Sequence, residues 1–190
     1  MKNHEVLCLT PNEGQVLVFT QRESGPIDLG HDLKLQLNAF EVKLNVTGSL
    51  IFRAWPSKVT VIGGRSNRSS MYQKLSQRDA TKVQTIIYRN ILKVEKYPMI
   101  RLDAQLSYGW DQSIEETQTV QALLTMVGKT NSITLHYTIS NNQLMGWVEL
   151  APLQWGIQPY RALLGVLKLK NWVRLEWSFD LSRGVSPLES

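Results

Sequence analysis

The sequence predicts one mainly β domain, an antiparallel sheet formed into a sandwich or a closed barrel and accompanied by a single amphipathic helix. Three observations carry this. Apolar and polar residues alternate with period two along most of the chain, the pattern of strands with one face buried and the other wet. Only one segment of useful length changes to a helical period. No linker, internal repeat or low-complexity tract divides the chain, and its 190 residues suit one domain. With 43% apolar and 19% charged residues, the composition excludes disordered and collagen-like chains and allows a real core.

Residues 1–13 read as a loosely held N-terminal arm and 182–190 as a C-terminal tail rich in turn formers, so that the domain, 1–190, has its folded part between them. The run Val16-Leu17-Val18-Phe19 opens the strands. Leu33, Leu35 and Leu37 then alternate with Lys34 and Gln36, and Phe40, Val42, Leu44 and Val46 with Glu41, Lys43 and Asn45. Val59 and Val61 continue the pattern. It returns at Ile100, Leu102, Ala104 and Leu106, and again at Ile133, Leu135, Tyr137 and Ile139. It is clearest at the end, where Val173, Leu175, Trp177, Phe179 and Leu181 oppose Arg174, Glu176, Ser178 and Asp180. The helix is expected over 78–94, because Val83, Ile86, Ile87, Ile91 and Val94 fall on one stripe. Ser76 or Asp79 would cap it, and Tyr97-Pro98 ends it, since proline excludes the helical region for its predecessor.

Cys8 is the only cysteine, which excludes an intramolecular disulfide and a cysteine-based zinc site; as a small residue it is expected to be buried. The N-terminus carries four consecutive apolar residues, Val6-Leu7-Cys8-Leu9, too few for a signal-peptide core, and a cytoplasmic location is the expectation. The net charge of +5 is unevenly spread. Residues 53–96 hold ten basic side chains against Asp79 and Glu95, a local +8, which points to an anionic partner such as a membrane surface, or else to a solvated basic face.

Motifs for chemistry fail on inspection. Gly128-Lys129-Thr130 would end a phosphate loop only with glycine at 123, where Leu123 stands. Gly63-Gly64 lacks dinucleotide-binding spacing and reads as a turn. His4, His31 and His136 are dispersed, so no metal site is expected. No serine elbow occurs, and Glu115-Glu116 lie in a polar stretch, so neither catalytic residues nor an enzymatic activity is expected. Nucleic-acid binding lacks its motif and its interleaved aromatics. Gly30-His31-Asp32-Leu33 is more specific: His31 and Asp32 would form an orienting polar pair at a strand start or a barrel mouth, or a satisfied structural pair.

Four segments together resemble the bacterial YceI-like family of lipocalin-like, polyisoprenoid-binding barrels. Gly30-His31-Asp32-Leu33 resembles the family's glycine-histidine step into an early strand, and Lys96-Tyr97-Pro98-Met99-Ile100 its tyrosine-proline-x-isoleucine step from helix to strand. Leu124-Thr125-Met126-Val127-Gly128-Lys129-Thr130 is similar to its leucine-threonine-isoleucine-histidine-glycine-x-threonine hairpin, and Trp155-Gly156-Ile157 to its phenylalanine-glycine-isoleucine. Order and spacing agree over about residues 15–181. Val127 stands for the family's histidine, Asn131 for a basic residue and Trp155 for phenylalanine; the export signal of many relatives is absent.

The resemblance implies an eight-stranded antiparallel lipocalin-like β-barrel with the helix against one side or end. It implies non-enzymatic binding of an elongated apolar or amphiphilic lipid in the interior, for carriage or storage. No cofactor is required beyond a bound isoprenoid lipid or quinone, and a homodimer is allowed. Burying one five-carbon isoprene unit gains roughly 4 kcal/mol at ~0.8 kcal/mol per carbon, whereas association costs roughly 4–15 kcal/mol, so several units must be enclosed. The lining expected is Leu35, Leu102, Leu135, Tyr137, Leu175, Trp177 and Phe179, with Trp155 near the mouth. The rival expectation is a solid core with the basic stretch 53–96 docking on anionic lipid or an acidic partner.

Overall fold

Alternation becomes strand over most of its length in the computed structural model, which describes residues 6–23, 31–66, 69–162 and 167–184. In chain order the strands are β1 (Val6–Leu9), β2 (Gly14–Arg22), β3 (Asp32–Leu37), β4 (Phe40–Asn45), β5 (Ser49–Ala54), β6 (Val59–Arg65), β7 (Ile100–Gln105), β8 (Ile114–Met126), β9 (Lys129–Ser140), β10 (Gln143–Leu150), the two-residue β11 (Arg161–Ala162) and β12 (Leu167–Asp180). The sheet runs β1-β4-β5-β7-β8-β9-β10-β12-β2-β3-β6, antiparallel at every pairing, with β11 on β12 off this path.

The path therefore has eleven strands, not the eight expected. The reason lies at three bends. Residues 10–13, 38–39 and 55–58 interrupt what would otherwise be long strands, so β1 leads into β2, β3 into β4 and β5 into β6. Each pair is split between the two ends of the path: β1, β4 and β5 lie at one end and β2, β3 and β6 at the other. The bends are stitched to one another as well. Asn38 N–H donates to the Lys58 carbonyl (3.3 Å) and Trp55 N–H to the Ala39 carbonyl (3.0 Å). The sheet is curled by these ties, and its inner residues converge: Val16, Leu37, Phe40, Val42, Leu102, Leu135, Tyr137 and Phe179 belong to one buried cluster.

Two expectations at the N-terminus need correction. The segment taken as a loose arm contains β1, which pairs with β4 and buries Leu7 and Leu9; residues 1–5 and 185–190 lie outside the described residues. Cys8 is half-exposed, because in a strand with Leu7 and Leu9 turned inward it must face outward. Its partial burial still raises the thiol pKa, an effect that Lys43 opposes.

The helix α1 (Gln77–Ile86) is capped by Ser76, whose Oγ accepts the Asp79 N–H (3.1 Å). It continues as a π-helical turn over Ile87–Ile91, where Leu92 N–H donates to the Ile87 carbonyl (2.9 Å). It stops at Ile91, three residues short of the expected end, and Lys93 turns the chain with a positive φ of 48° before Tyr97-Pro98 is reached. Val94 leaves the helix but stays buried, as its apolar character requires. α1 packs on β6, and Gln84 Nε2 donates to the Val59 carbonyl (3.0 Å). It occupies the place where the wall is open: β7 begins level with Ala54 of β5, while β6 turns away to follow β3.

Two hairpin tips make a controlled comparison. Asn141-Asn142 joins β9 to β10 with φ of 52° and 57°, values that asparagine tolerates. Val127-Gly128 joins β8 to β9 with φ of 50° and 73°, and a β-branched residue in that region is strained. We predict that Val127→Asn raises unfolding free energy by about 1 kcal/mol, part of the left-handed penalty being offset by lost Val127 packing. Chemical denaturation would check this; a destabilised Val127→Asn would mean that packing outweighs strain there.

Candidate functional site

The curled sheet and the helix enclose a cavity of about 450 Å³, within the range of roughly 300–1,000 Å³ usual for small-molecule sites. Its wall is built by the inward positions of alternating strands. Val16 and Val18 come from β2, Leu33, Leu35 and Leu37 from β3, Leu102 from β7, Leu124 and Met126 from β8, Leu135 and Tyr137 from β9, and Leu144 and Val148 from β10. Along β12 the lining extends from Leu169 to Phe179, ten residue steps, or roughly 30 Å at ~3.3 Å per residue. The apolar stripe of the helix, Val83, Ile86, Ile87 and Ile91, closes the gap beside β6. None of these four is fully buried, because they face the chamber instead of packed neighbours.

One end is sealed. Tyr137, 2% exposed, receives the Ser107 N–H on its hydroxyl (3.0 Å), so the phenol is satisfied without any guest. Phe179 packs against Phe40, with ring centroids 5.6 Å apart. The polar lining residues Thr20, His31, Asp79, Gln158, Tyr160 and Lys170 come from the segments at the other end: the end of β2, the approach to β3, the helix N-terminus, the stretch before β11 and the start of β12. Asp79 is spoken for by the cap, accepting from Ser76 Oγ (2.7 Å), and Lys170 Nζ donates to Gln21 Oε1 (3.1 Å).

A chamber survives in so aromatic a region partly because of Gly146. It lies opposite Trp177 on β12 and Tyr137 on β9, turned to the inner face. A Cβ built there would fall 2.4 Å from the Trp177 ring and 2.3 Å from the His136 carbonyl oxygen. The indole thus lies against the β10 backbone, which keeps it on the wall and out of the centre.

Of the expected lining, Leu35, Leu102, Leu135, Tyr137, Leu175, Trp177 and Phe179 face the cavity. Trp155 does not. It is 1% exposed, on a 3₁₀ turn (Pro152–Trp155), and its indole N–H donates to the Leu124 carbonyl (3.1 Å), making it a packed structural residue and not part of the mouth. His31 borders the cavity, but Asp32 is not among the lining residues. Both Asp32 oxygens serve the wall: Oδ1 accepts the Arg22 N–H (3.0 Å) and Oδ2 pairs with Arg65 (3.0 Å). Trp147 lies between His136 (centroids 3.8 Å apart) and the Arg174 guanidinium (4.4 Å). The helical stripe was legible as amphipathic, yet its role as cavity wall was missed; nothing in the period says whether an apolar face meets protein or space. Among the described residues no cluster of His, Cys, Asp and Glu could hold a metal ion.

Gly146→Ala should push Trp177 into the chamber, destabilise the fold by about 1–3 kcal/mol as overpacking does, and weaken binding of an apolar fluorescent probe. Unchanged stability together with unchanged probe binding would show that the close fit drawn above is not what keeps the chamber open.

No family profile matches the chain, and no curated protein matches it in sequence. Solved structures do match in shape. One is the polyisoprenoid binding domain from Saccharophagus degradans implicated in plant cell wall breakdown, at 8% identity and a TM-score of 0.59 over 93% of this chain and 97% of that one. Another is BcnA from Burkholderia cenocepacia, at 10% identity and a TM-score of 0.61 over 90% of this chain and 97% of that one. At such identities the likeness is one of fold: the chain is a mainly β protein whose curled antiparallel sheet and helix share the architecture of these two structures.

Proposed function

We propose that this protein is a non-enzymatic binder of a long-chain lipid, of isoprenoid type, held in the cavity for carriage or storage, in the manner of the YceI-like family that its motifs resemble. The observation that carries the reading is the cavity itself: about 450 Å³ with an almost wholly apolar wall and polar groups supplied at one end. Water inside gains little from such a wall, whereas a hydrocarbon chain recovers roughly 0.8 kcal/mol for each buried carbon. The polar residues at the mouth suit an amphiphile, its tail inward and its head between His31, Tyr160 and Lys170. A quinone or a prenyl alcohol has that form. The similar fold of a polyisoprenoid binding domain supports the assignment.

The rival expectation of a solid core finds no support in an interior lined in this way. Enclosed apolar binding depends on solvent exclusion and should change little between low and high salt, which separates it from surface adsorption.

Solvent extraction of the purified protein followed by mass spectrometry should yield a lipid with a long hydrocarbon chain. Ile87→Glu, which places a carboxylate over the chamber from a half-buried helix, should weaken an apolar probe at least tenfold, because an unpaired charge near apolar surface costs several kcal/mol; Trp177→Ala should weaken it less. Probe affinity untouched in both variants would rule out the cavity as the binding site.

A further inference from the structure

The helix that closes the cavity has a second face. Arg78, Lys82 and Arg89, at i, i+4 and i+11, share a stripe; all three are exposed, and none borders the cavity. Lys74 before the helix and Lys93 and Lys96 after it are exposed too. Two other cations of the basic stretch are used within the wall: Arg53 pairs with Glu41 (3.2 Å) and Arg65 with Asp32 (3.0 Å). Among the described residues no carboxylate pairs with the helix cations. Segments on either side add apolar surface, Met71 at 72% exposure on the way in and Met99 at 39% on the way out. A helix with cations outward and flanking apolar side chains has the chemistry of a surface that rests on anionic lipid headgroups.

We propose that the outer face of the helix formed by residues 77–91 docks this protein on an anionic bilayer. The cavity-facing residues Val83, Ile86 and Ile87 lie on the same helix, so docking sets the lid of the chamber against the phase in which long-chain lipids reside. The docking follows from charge and exposure; its purpose, lipid exchange, rests on the lipid-binding reading above. Charge complementarity selects the occupant, and the exposed methionines favour a bilayer over a nucleic acid.

The test is co-sedimentation with phosphatidylcholine vesicles, with and without phosphatidylglycerol, at low and high salt. The protein should bind only the anionic vesicles, and salt should release it. Arg78→Glu/Lys82→Glu should weaken that binding by about tenfold or more, since each basic residue near the surface is worth ~1 kcal/mol. Lys43→Glu/Arg183→Glu changes net charge equally from other sites and should leave binding nearly intact. Equal weakening by the two pairs would reduce the effect to net charge and overturn the proposal; so would no weakening by the helix pair, absent vesicle binding, or preferential binding of single-stranded RNA. An apolar fluorescent probe is titrated in parallel, and circular dichroism checks the fold. Probe binding retained without vesicle binding defeats the docking surface alone. Vesicle binding without probe binding defeats the cavity reading and leaves docking standing.

Discussion

A sheet that curls on its apolar face turns every inward side chain toward one shared space, and the side chains supplied here line that space without filling it. The rest of the structure follows from this imbalance. Leucines and valines on β2, β3, β9 and β10 line the cavity, while the largest side chains are held aside. Trp177 lies against the glycine gap at 146, Tyr137 is tied to the Ser107 amide, and Trp155 is bonded to the Leu124 carbonyl away from the chamber. A core packed to ordinary density would leave only voids near the size of a water molecule. The chamber is therefore a consequence of where the bulky residues are anchored, as much as of how many there are.

The wall is completed by means that differ from those of a simple up-and-down barrel. Three bends divide strands that would otherwise run the full height, and they carry β6 away from β7, so the sheet alone leaves an opening. The helix fills it with its apolar stripe, Val83, Ile86, Ile87 and Ile91. An element with an apolar face toward the chamber and cations toward solvent is at once part of the wall and part of the surface, which couples the interior to whatever the surface meets.

The polar end of the cavity and its sealed end give it a direction. For the lipid binding proposed above, polar groups gathered at one end and satisfied phenol and aromatic contacts at the other suit a guest that is itself directional, apolar along its length and polar at one terminus. Asp32 illustrates the selectivity of the arrangement: its carboxylate is consumed by the wall, on Arg22 and Arg65, which leaves His31 as the member of that pair beside the chamber.

Much of this was legible in the sequence for a plain physical reason: alternation and helical period are local consequences of burying one face, so they identify strands, the helix and the inward set including Leu35, Leu135 and Trp177 without any knowledge of partners. At Asn38-Ala39 the alternation slips, from Leu37 to Phe40, which marks a break but does not say to which end of the sheet each half goes. What only the tertiary structure decided was which side chains meet space and which meet neighbours. Trp155 and Trp177 are the same residue type in similar company, yet one donates to a buried carbonyl and the other borders a cavity; Val83 and Ile87 read as the apolar stripe of a helix and border that cavity as well. Periodicity reports which way a side chain points, and the distance to the opposite wall is set by residues far away in the chain.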